Sequence, residues 1–384
     1  MHATAGPPLT EQDAEAYLAR HAFHTGAPRL VGLRVEWLLR DSTGPGRAVP
    51  APRVESALAA HGAPRHGRHE VAPSGAITVI SPPYRDLGEC VRRTAEDLAA
   101  IRAGLASGGL APLPRAVDPR GATTAAAAVR VRLDVGHAGS GPLGFRRRWA
   151  LAHAVGPVLL AAFANSPTTA GGGWRSIRQA MLLRLDPRRT APPPGGDPRE
   201  SWSRYALDAP VAPLAGPGTV PVGLTFRQWL RAGHPRRPTL DDLNRHLDTL
   251  LPPVRPRGHL ELAMIDGQPA DGWPVPLAVT AGLFADAQAG DEALAATERL
   301  HVHREPYQRG PWVRAARHGL RDPHLAAAAP DCFHIAYAAL ARTGAPPAVR
   351  GAVADFIERY VARHRCPADD TIATLTGGGT TART

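Results

Sequence analysis

An α+β fold, with a curved, mainly antiparallel sheet and peripheral helices, is what this 384-residue chain predicts. Three observations carry the prediction. Each extended segment is half polar, alternating an apolar face with a charged one, whereas strands buried in a parallel sheet read as continuous apolar runs. Helical periodicities lie between these segments, several opened by capping boxes such as Thr10 with Asp13, Thr225 with Gln228 and Thr239 with Asp242. The 43% of hydrophobic residues suffice for a substantial core, and no internal repeat divides the chain.

The elements follow in order. A first helix runs from Thr10 to about His21, and a strand follows in LVGLRVEWLL. There Leu33, Val35, Trp37 and Leu39 point one way, while Gly32, Arg34, Glu36 and Leu38 point the other. After a helix near 52–61, the turn Pro73-Ser74-Gly75 enters a strand over 76–81, with Ile77 and Val79 toward the core and Thr78 on the polar side. A long helix from 84 to about 107 leads through a Pro/Gly loop to the strand of Val129, Val131, Leu133 and Val135, whose other face presents Arg130, Arg132 and Asp134. Next come a helix from about 143 to 164, the loop NSPTTAGGG, a helix opening at Trp174 and a PPPGG surface loop at 192–196. A strand over 259–266 brings Glu261 to the polar side, and the remainder from 274 to about 362 is mostly helical.

Composition removes several function classes. The formal net charge is +11, and all 45 basic residues are arginine. With no lysine, a Walker A loop and a Schiff-base lysine are excluded, so a bound phosphate must be met by arginine, backbone N–H groups or a metal. Arginine is spread along the whole chain and no nucleic-acid motif accompanies it, which ranks nucleic-acid binding last. Cys90, Cys332 and Cys366 stand far apart without CxxC spacing, which suits a reducing, cytoplasmic compartment. The N-terminal residues have neither a basic region nor an apolar core of a signal peptide, and the longest apolar run, 154–164, is too short to span a membrane.

Read together and in order, six segments carry a resemblance: VGLRVEWLLRD at 31–41, RRWALAHAVGPVLLAAFANSP at 147–167, GWRSIRQAMLLRLDPRRT at 173–190, YALDAPV at 205–211, HLDTLLPPVRPRGHLELAMIDGQP at 246–269 and WVRAARHGL at 312–320. They resemble the glutamate–cysteine ligase of ergothioneine biosynthesis, a member of the carboxylate–amine ligase group with a glutamine-synthetase-like sheet. The resemblance implies one catalytic domain over 28–370, an N-terminal helix and lead-in over 1–27 and a flexible tail over 371–384. It also implies the reaction. ATP phosphorylates the γ-carboxylate of glutamate, and the amine of cysteine attacks the acyl phosphate to give γ-glutamylcysteine, with Mg²⁺ as cofactor.

What the resemblance implies for single residues follows. Glu36 matches the second acid of a GxExE strand and Glu261 the acid of an LExR strand, giving two catalytic carboxylates that would hold metal, with Asp134 a further acid on the same face. Asn165 and Ser166 of the FANSP motif, with Arg178 and Arg189, match positions that would contact substrate carboxylate or phosphate; Arg255 joins them. Asp266 and His246 also match, with no role assigned. Taken bare, Asn165-Ser166-Pro167 is also a plain helix stop, the glycines at 171–173 a turn, and His301-Val302-His303 a pair of solvated histidines.

The departures are concentrated on the polar face. Arg34 replaces the first acid of GxExE, Ala72 and Thr78 stand where EPGGQVE has acids, and Arg130 and Arg132 replace a glutamine and an asparagine. Ala263 replaces the LExR arginine, and a helical segment is missing near Asp118–Gly121. At an effective dielectric near 20, a dication about 4 Å from Arg34 meets roughly 8 kcal/mol of repulsion, as much as a micromolar site offers. Two physical readings remain open: the arginines pair with the acids in place of a metal, or they grip an anionic ligand directly. Two functional readings follow: the ligase, or a catalytically impaired paralogue that binds an amino acid or nucleotide or regulates a partner.

Overall fold

Alternation along the strands decides how the sheet is built. The computed structural model describes residues 7–25, 30–42, 44, 47–61, 63–117, 126–168, 173–212, 223–234, 236–269, 271–301 and 309–377. Its strands are β1 (Val31–Trp37), β2 (Leu39–Asp41), β3 (Arg68–Val71), β4 (Ile77–Ile80), β5 (Leu110–Pro112), β6 (Ala128–Leu133), β7 (Val254–Pro256) and β8 (Leu260–Asp266). Six of them form one sheet in the order β3-β4-β1-β6-β8-β7, while β2 and β5 make a separate ribbon. Every neighbouring pair runs antiparallel, as the half-polar pattern predicts.

One face of the sheet is apolar. Leu33 lies opposite Val131, which lies opposite Leu262, and Val35 lies between Val79 and Val129. All six are buried, each contributing about 1.5–3 kcal/mol through loss of apolar surface to water. The helices Leu87–Ser107 and Pro274–Leu283 cover β1, and Pro274–Leu283 continues over β6. Helix Phe145–Ala162 packs along β8 and is buried on nearly every side, which explains why its sequence shows no polar stripe. The three capping boxes form as read, at Thr10, Thr225 and Thr239.

Several expectations are corrected. The strand over 68–71 was not foreseen: it pairs with β4 across a turn closed by Ala72 N–H to Ala76 O at 2.8 Å and Gly75 N–H to Ala72 O at 2.8 Å. Gly75 has φ +80°, and a Cβ there would lie 1.9 Å from the Val49 carbonyl, so only glycine closes this turn. The helix expected to open at Trp174 begins at Ile177, because Ser176 accepts the Gln179 N–H while Trp174 is held in backbone hydrogen bonds to Thr168. Residues 371–377 are not tail but the end of helix Pro367–Gly377. His301 is buried, its ring against the Ala154 carbonyl at 3.1 Å, rather than solvated. Residues 118–121, 171–172, 302–303 and 378–384 lie outside the described residues.

Asp134 is also displaced from its expected role. Its carboxylate accepts from the Arg148 guanidinium at 3.1 Å and from the Leu30 N–H at 3.2 Å, beyond the start of β1. At about 3.3 Å per residue, that is roughly 20 Å along the strand from Glu36, so the two carboxylates do not share a metal. Arg148 is 5% exposed and depends on this partner. Replacing Asp134 with alanine leaves that guanidinium buried and uncompensated, and a loss of about 3–5 kcal/mol in denaturant unfolding is expected. A loss under about 1 kcal/mol would show that the pair contributes little.

Candidate active site

The polar face of the sheet gathers the residues that the strand pattern placed there. Glu36 lies opposite Thr78, which lies opposite Glu70; Arg34 lies opposite Arg130; and Glu261 lies between Arg132 and Arg255. Because directly opposed residues share a face, Arg34, Glu36, Thr78, Arg130, Arg132, Arg255 and Glu261 face one side together. Ala263, two residues beyond Glu261 on β8, continues the same face.

Guanidiniums thread between the carboxylates. Arg130 binds Glu36 at 2.8 Å and reaches Glu261 at 3.8 Å, and Arg255 pairs with the same Glu261 oxygen. Arg34 pairs with Glu70 at 2.8 Å near the sheet edge. Arg132 differs from the other three: its Nε donates to the His259 ring at 2.9 Å and an NH1 to the Ser81 carbonyl at 3.3 Å, and among the described residues it forms no ion pair with a carboxylate. The Nε groups of Arg34, Arg130 and Arg255 are buried without a hydrogen-bond partner.

Electrostatics follow the geometry. Burial alone would raise the Glu261 carboxyl, but Arg255 and Arg130 outweigh it and hold the group at about 2. Burial lowers Arg255 to about 10 despite Glu261, whereas for Arg130 the two carboxylates more than offset burial and its basicity rises. Arg132 is lowered, by burial above all. His259 falls to about 4, through burial first and then the neighbouring Arg132 charge, so its ring is neutral near pH 7.

A resident Mg²⁺ does not fit these side chains. The ion requires near-octahedral oxygen coordination at about 2.0–2.1 Å. Here the facing carboxylates are already occupied by guanidiniums, and among the described residues no group of three or more His, Cys, Asp or Glu could hold a metal ion.

Beside β8 a second set of residues is fixed by Asp266. This carboxylate accepts from the Asn165 N–H at 2.9 Å, the Ser166 hydroxyl at 2.7 Å, the Ser176 hydroxyl at 3.0 Å and Arg178 Nε at 2.7 Å. The Asn165 side chain donates to Gly267 O at 2.7 Å. Asn165 and Ser166, expected to contact substrate, therefore spend their polar atoms inside the protein, because a buried carboxylate must be satisfied by local donors. Arg189 is likewise turned aside: it donates to Thr249 O at 2.9 Å and is absent from the cavity wall. His246 is buried against the Ala206 carbonyl and stacked on Phe226.

Among the described residues, two cavities open on the polar face. The first, about 230 Å³, is lined by Arg130, Arg178, Arg255 and Arg309, with Met181 and Trp312 among its apolar walls. The second, about 360 Å³, is lined by Gly32, Arg132, Asp134, His24 and His259 among others. Sequence reasoning missed Glu70, Arg309, Trp312 and His259. Folding residues 68–71 back across the Pro73-Ser74-Gly75 turn would have set Glu70 opposite Thr78; nothing local marks the others.

Comparison with known proteins shows the family by sequence. The profile of glutamate-cysteine ligase family 2 (GCS2) matches residues 116–379. The glutamate–cysteine ligase EgtA of Mycolicibacterium smegmatis is 35% identical over 402 residues, covering 94% of this chain and 90% of that protein. The EgtA of Mycobacterium tuberculosis is 31% identical over 415 residues, covering 97% and 92%. Among solved structures, the complex between the prokaryotic ubiquitin-like protein Pup and its ligase PafA aligns with a TM-score of 0.47 at 12% identity, covering 92% of this chain and 70% of that one.

Two outcomes are expected here. Since the folded Glu261 carboxyl titrates at about 2, below its ordinary 4.5, its stabilisation is complete above about pH 4.5 and is lost as pH falls toward 2. Unfolding midpoints measured over that window should fall more steeply for the wild type than for Glu261→Gln; equal slopes would contradict the ion pairing. A Cβ at Gly156 would lie 2.1 Å from the Trp312 indole, so Gly156→Ala should push Trp312 into the first cavity and destabilise by about 1–3 kcal/mol. An unchanged Trp fluorescence spectrum and midpoint would refute this.

Proposed function

The chain belongs to glutamate–cysteine ligase family 2, and from that premise we propose that it joins the γ-carboxylate of glutamate to the amine of cysteine, using ATP, to give γ-glutamylcysteine for ergothioneine biosynthesis. The observation that carries this reading is the placing of the two cavities. Arg130 lines one and Arg132 the other, two residues apart on the same face of β6, which is about 7 Å along the strand.

The first cavity is smaller than the roughly 300–1,000 Å³ typical of drug-sized ligands, and its arginines beside Met181 and Trp312 suit an amino acid carrying carboxylates. The second suits phosphates, because Arg132 lines it and forms no ion pair with a carboxylate among the described residues, while the Asp134 carboxylate on the same wall is paired with Arg148. A γ-carboxylate oxygen then attacks the terminal phosphorus and ADP departs. The cysteine amine next attacks the acyl carbon, expelling phosphate. The protein's contribution is to hold the partners in line and to surround the transferring phosphoryl with fixed guanidinium charge.

The setting we assign is the cytoplasm, with small-molecule substrates as partners. The three cysteines are buried and free, and no described helix is long and apolar enough to cross a membrane.

The test is ADP release together with mass-spectrometric detection of γ-glutamylcysteine. Product is expected only when glutamate, cysteine and ATP are all present. Arg309→Ala should raise the KM for an amino-acid substrate about tenfold and leave that for ATP unchanged, while Arg132→Ala should lower kcat/KM for ATP by about 100-fold, the loss of roughly 2.7 kcal/mol. Thermal stabilisation by the substrates without any product would return the chain to the binding-protein reading.

A further inference from the structure

We propose that Arg130 occupies the place of a protein-held divalent cation, so that this protein binds no such ion of its own and receives a divalent cation only as the counter-ion of the nucleotide. The inference rests on the ligase reading and concerns the same sheet face.

Three observations lead to it. First, one guanidinium spans two carboxylates on different strands, Glu36 of β1 at 2.8 Å and Glu261 of β8 at 3.8 Å, the bridging task that a dication performs between acids. Second, the surroundings are set for an anion: Arg34, Arg130, Arg132 and Arg255 stand among Glu36, Glu70 and Glu261, so cations outnumber acids. A dication placed there would be repelled from several sides and attracted by carboxylates that already have partners. Third, the buried Nε atoms of Arg34, Arg130 and Arg255 lack acceptors, which a phosphate or carboxylate oxygen would supply and a metal ion would not.

Unlike a bound ion, the bridging charge cannot dissociate, and it stays protonated because Glu36 and Glu261 raise its basicity. Its geometry is also planar and directional rather than octahedral. Arg130 therefore acts as a positioning residue: it keeps the two carboxylates apart and, together with Arg255, balances their charge, and it borders the cavity assigned to the amino acid.

The test uses Mn²⁺, whose free form gives an electron paramagnetic resonance signal, titrated into the nucleotide-free full-length protein. The wild-type protein should leave the free-Mn²⁺ signal unchanged up to about 1 mM. Arg130→Gln removes the bridge, leaving Glu36 without its guanidinium and Glu261 with Arg255 alone. That variant should bind Mn²⁺ with a Kd below about 1 mM and gain about 3 °C or more in melting temperature at saturating metal, and Arg130→Gln combined with Glu36→Gln should lose both effects. Wild-type binding that Glu36→Gln or Glu261→Gln abolishes would overturn the proposal, as would an Arg130→Gln variant that binds no more Mn²⁺ than the wild type. The wild-type titration needs no variant to fold. γ-Glutamylcysteine formation is scored separately: a silent Mn²⁺ titration without product sinks only the ligase reading, and product with wild-type Mn²⁺ binding sinks only this one.

Discussion

The guanidinium of Arg130 between Glu36 and Glu261 sets the character of the whole polar face. Three central strands, β1, β6 and β8, each contribute one of these groups, so the ion bridge ties their relative positions together. A carboxylate as buried as Glu261, 2% exposed, is tolerated only with charged partners in good geometry, and it has two, Arg130 and Arg255. Removing Glu261 leaves the buried Arg255 guanidinium without its carboxylate in a medium that solvates it badly. By contrast, the Arg34 pair with Glu70 sits at a wetter edge, with Glu70 about half exposed, and contributes at most about 1 kcal/mol.

The rest of the molecule holds that face in place. The apolar side of the sheet is fixed by Leu33, Val35, Val129 and Val131 under two helices, so the polar side chains have no freedom to exchange faces. Asp266 joins the end of helix Phe145–Ala162 to the start of helix Ile177–Arg184 through four donors, and this aims Arg178 at the first cavity. Gly156 supplies the flat site on which Trp312 rests, and Trp312 closes the same cavity. Substrate specificity on this face would thus arise from rigid supports rather than from loops.

Much of this was legible in the chain itself. Strands β1, β4 and β6 alternate, as does the first half of β8, so their shared face, and with it Arg34, Glu36, Thr78, Arg130, Arg132 and Glu261, followed from period two. The edge strands were illegible for a physical reason. β3 has the sequence RHEV with no buried position, and β7 is only three residues ending in Pro256; charge and proline are what edges carry to discourage further pairing. Asn165, Ser166 and Asp134 were misjudged because their partners, Asp266 and Arg148, are set by the tertiary fold: Asp266 lies about a hundred residues away, and Arg148 sits on a different element. Arg189 was assigned by resemblance, yet its side chain turns to the Thr249 carbonyl at the end of a neighbouring helix.

A crystal of the nucleotide-free protein soaked in MnCl₂, with data collected near the manganese absorption edge, addresses the ion bridge most directly. The account predicts continuous guanidinium density between Glu36 and Glu261 and no anomalous peak at that position. An anomalous peak within about 2.2 Å of oxygens from both carboxylates, with the Arg130 side chain swung out of the cleft, would contradict it.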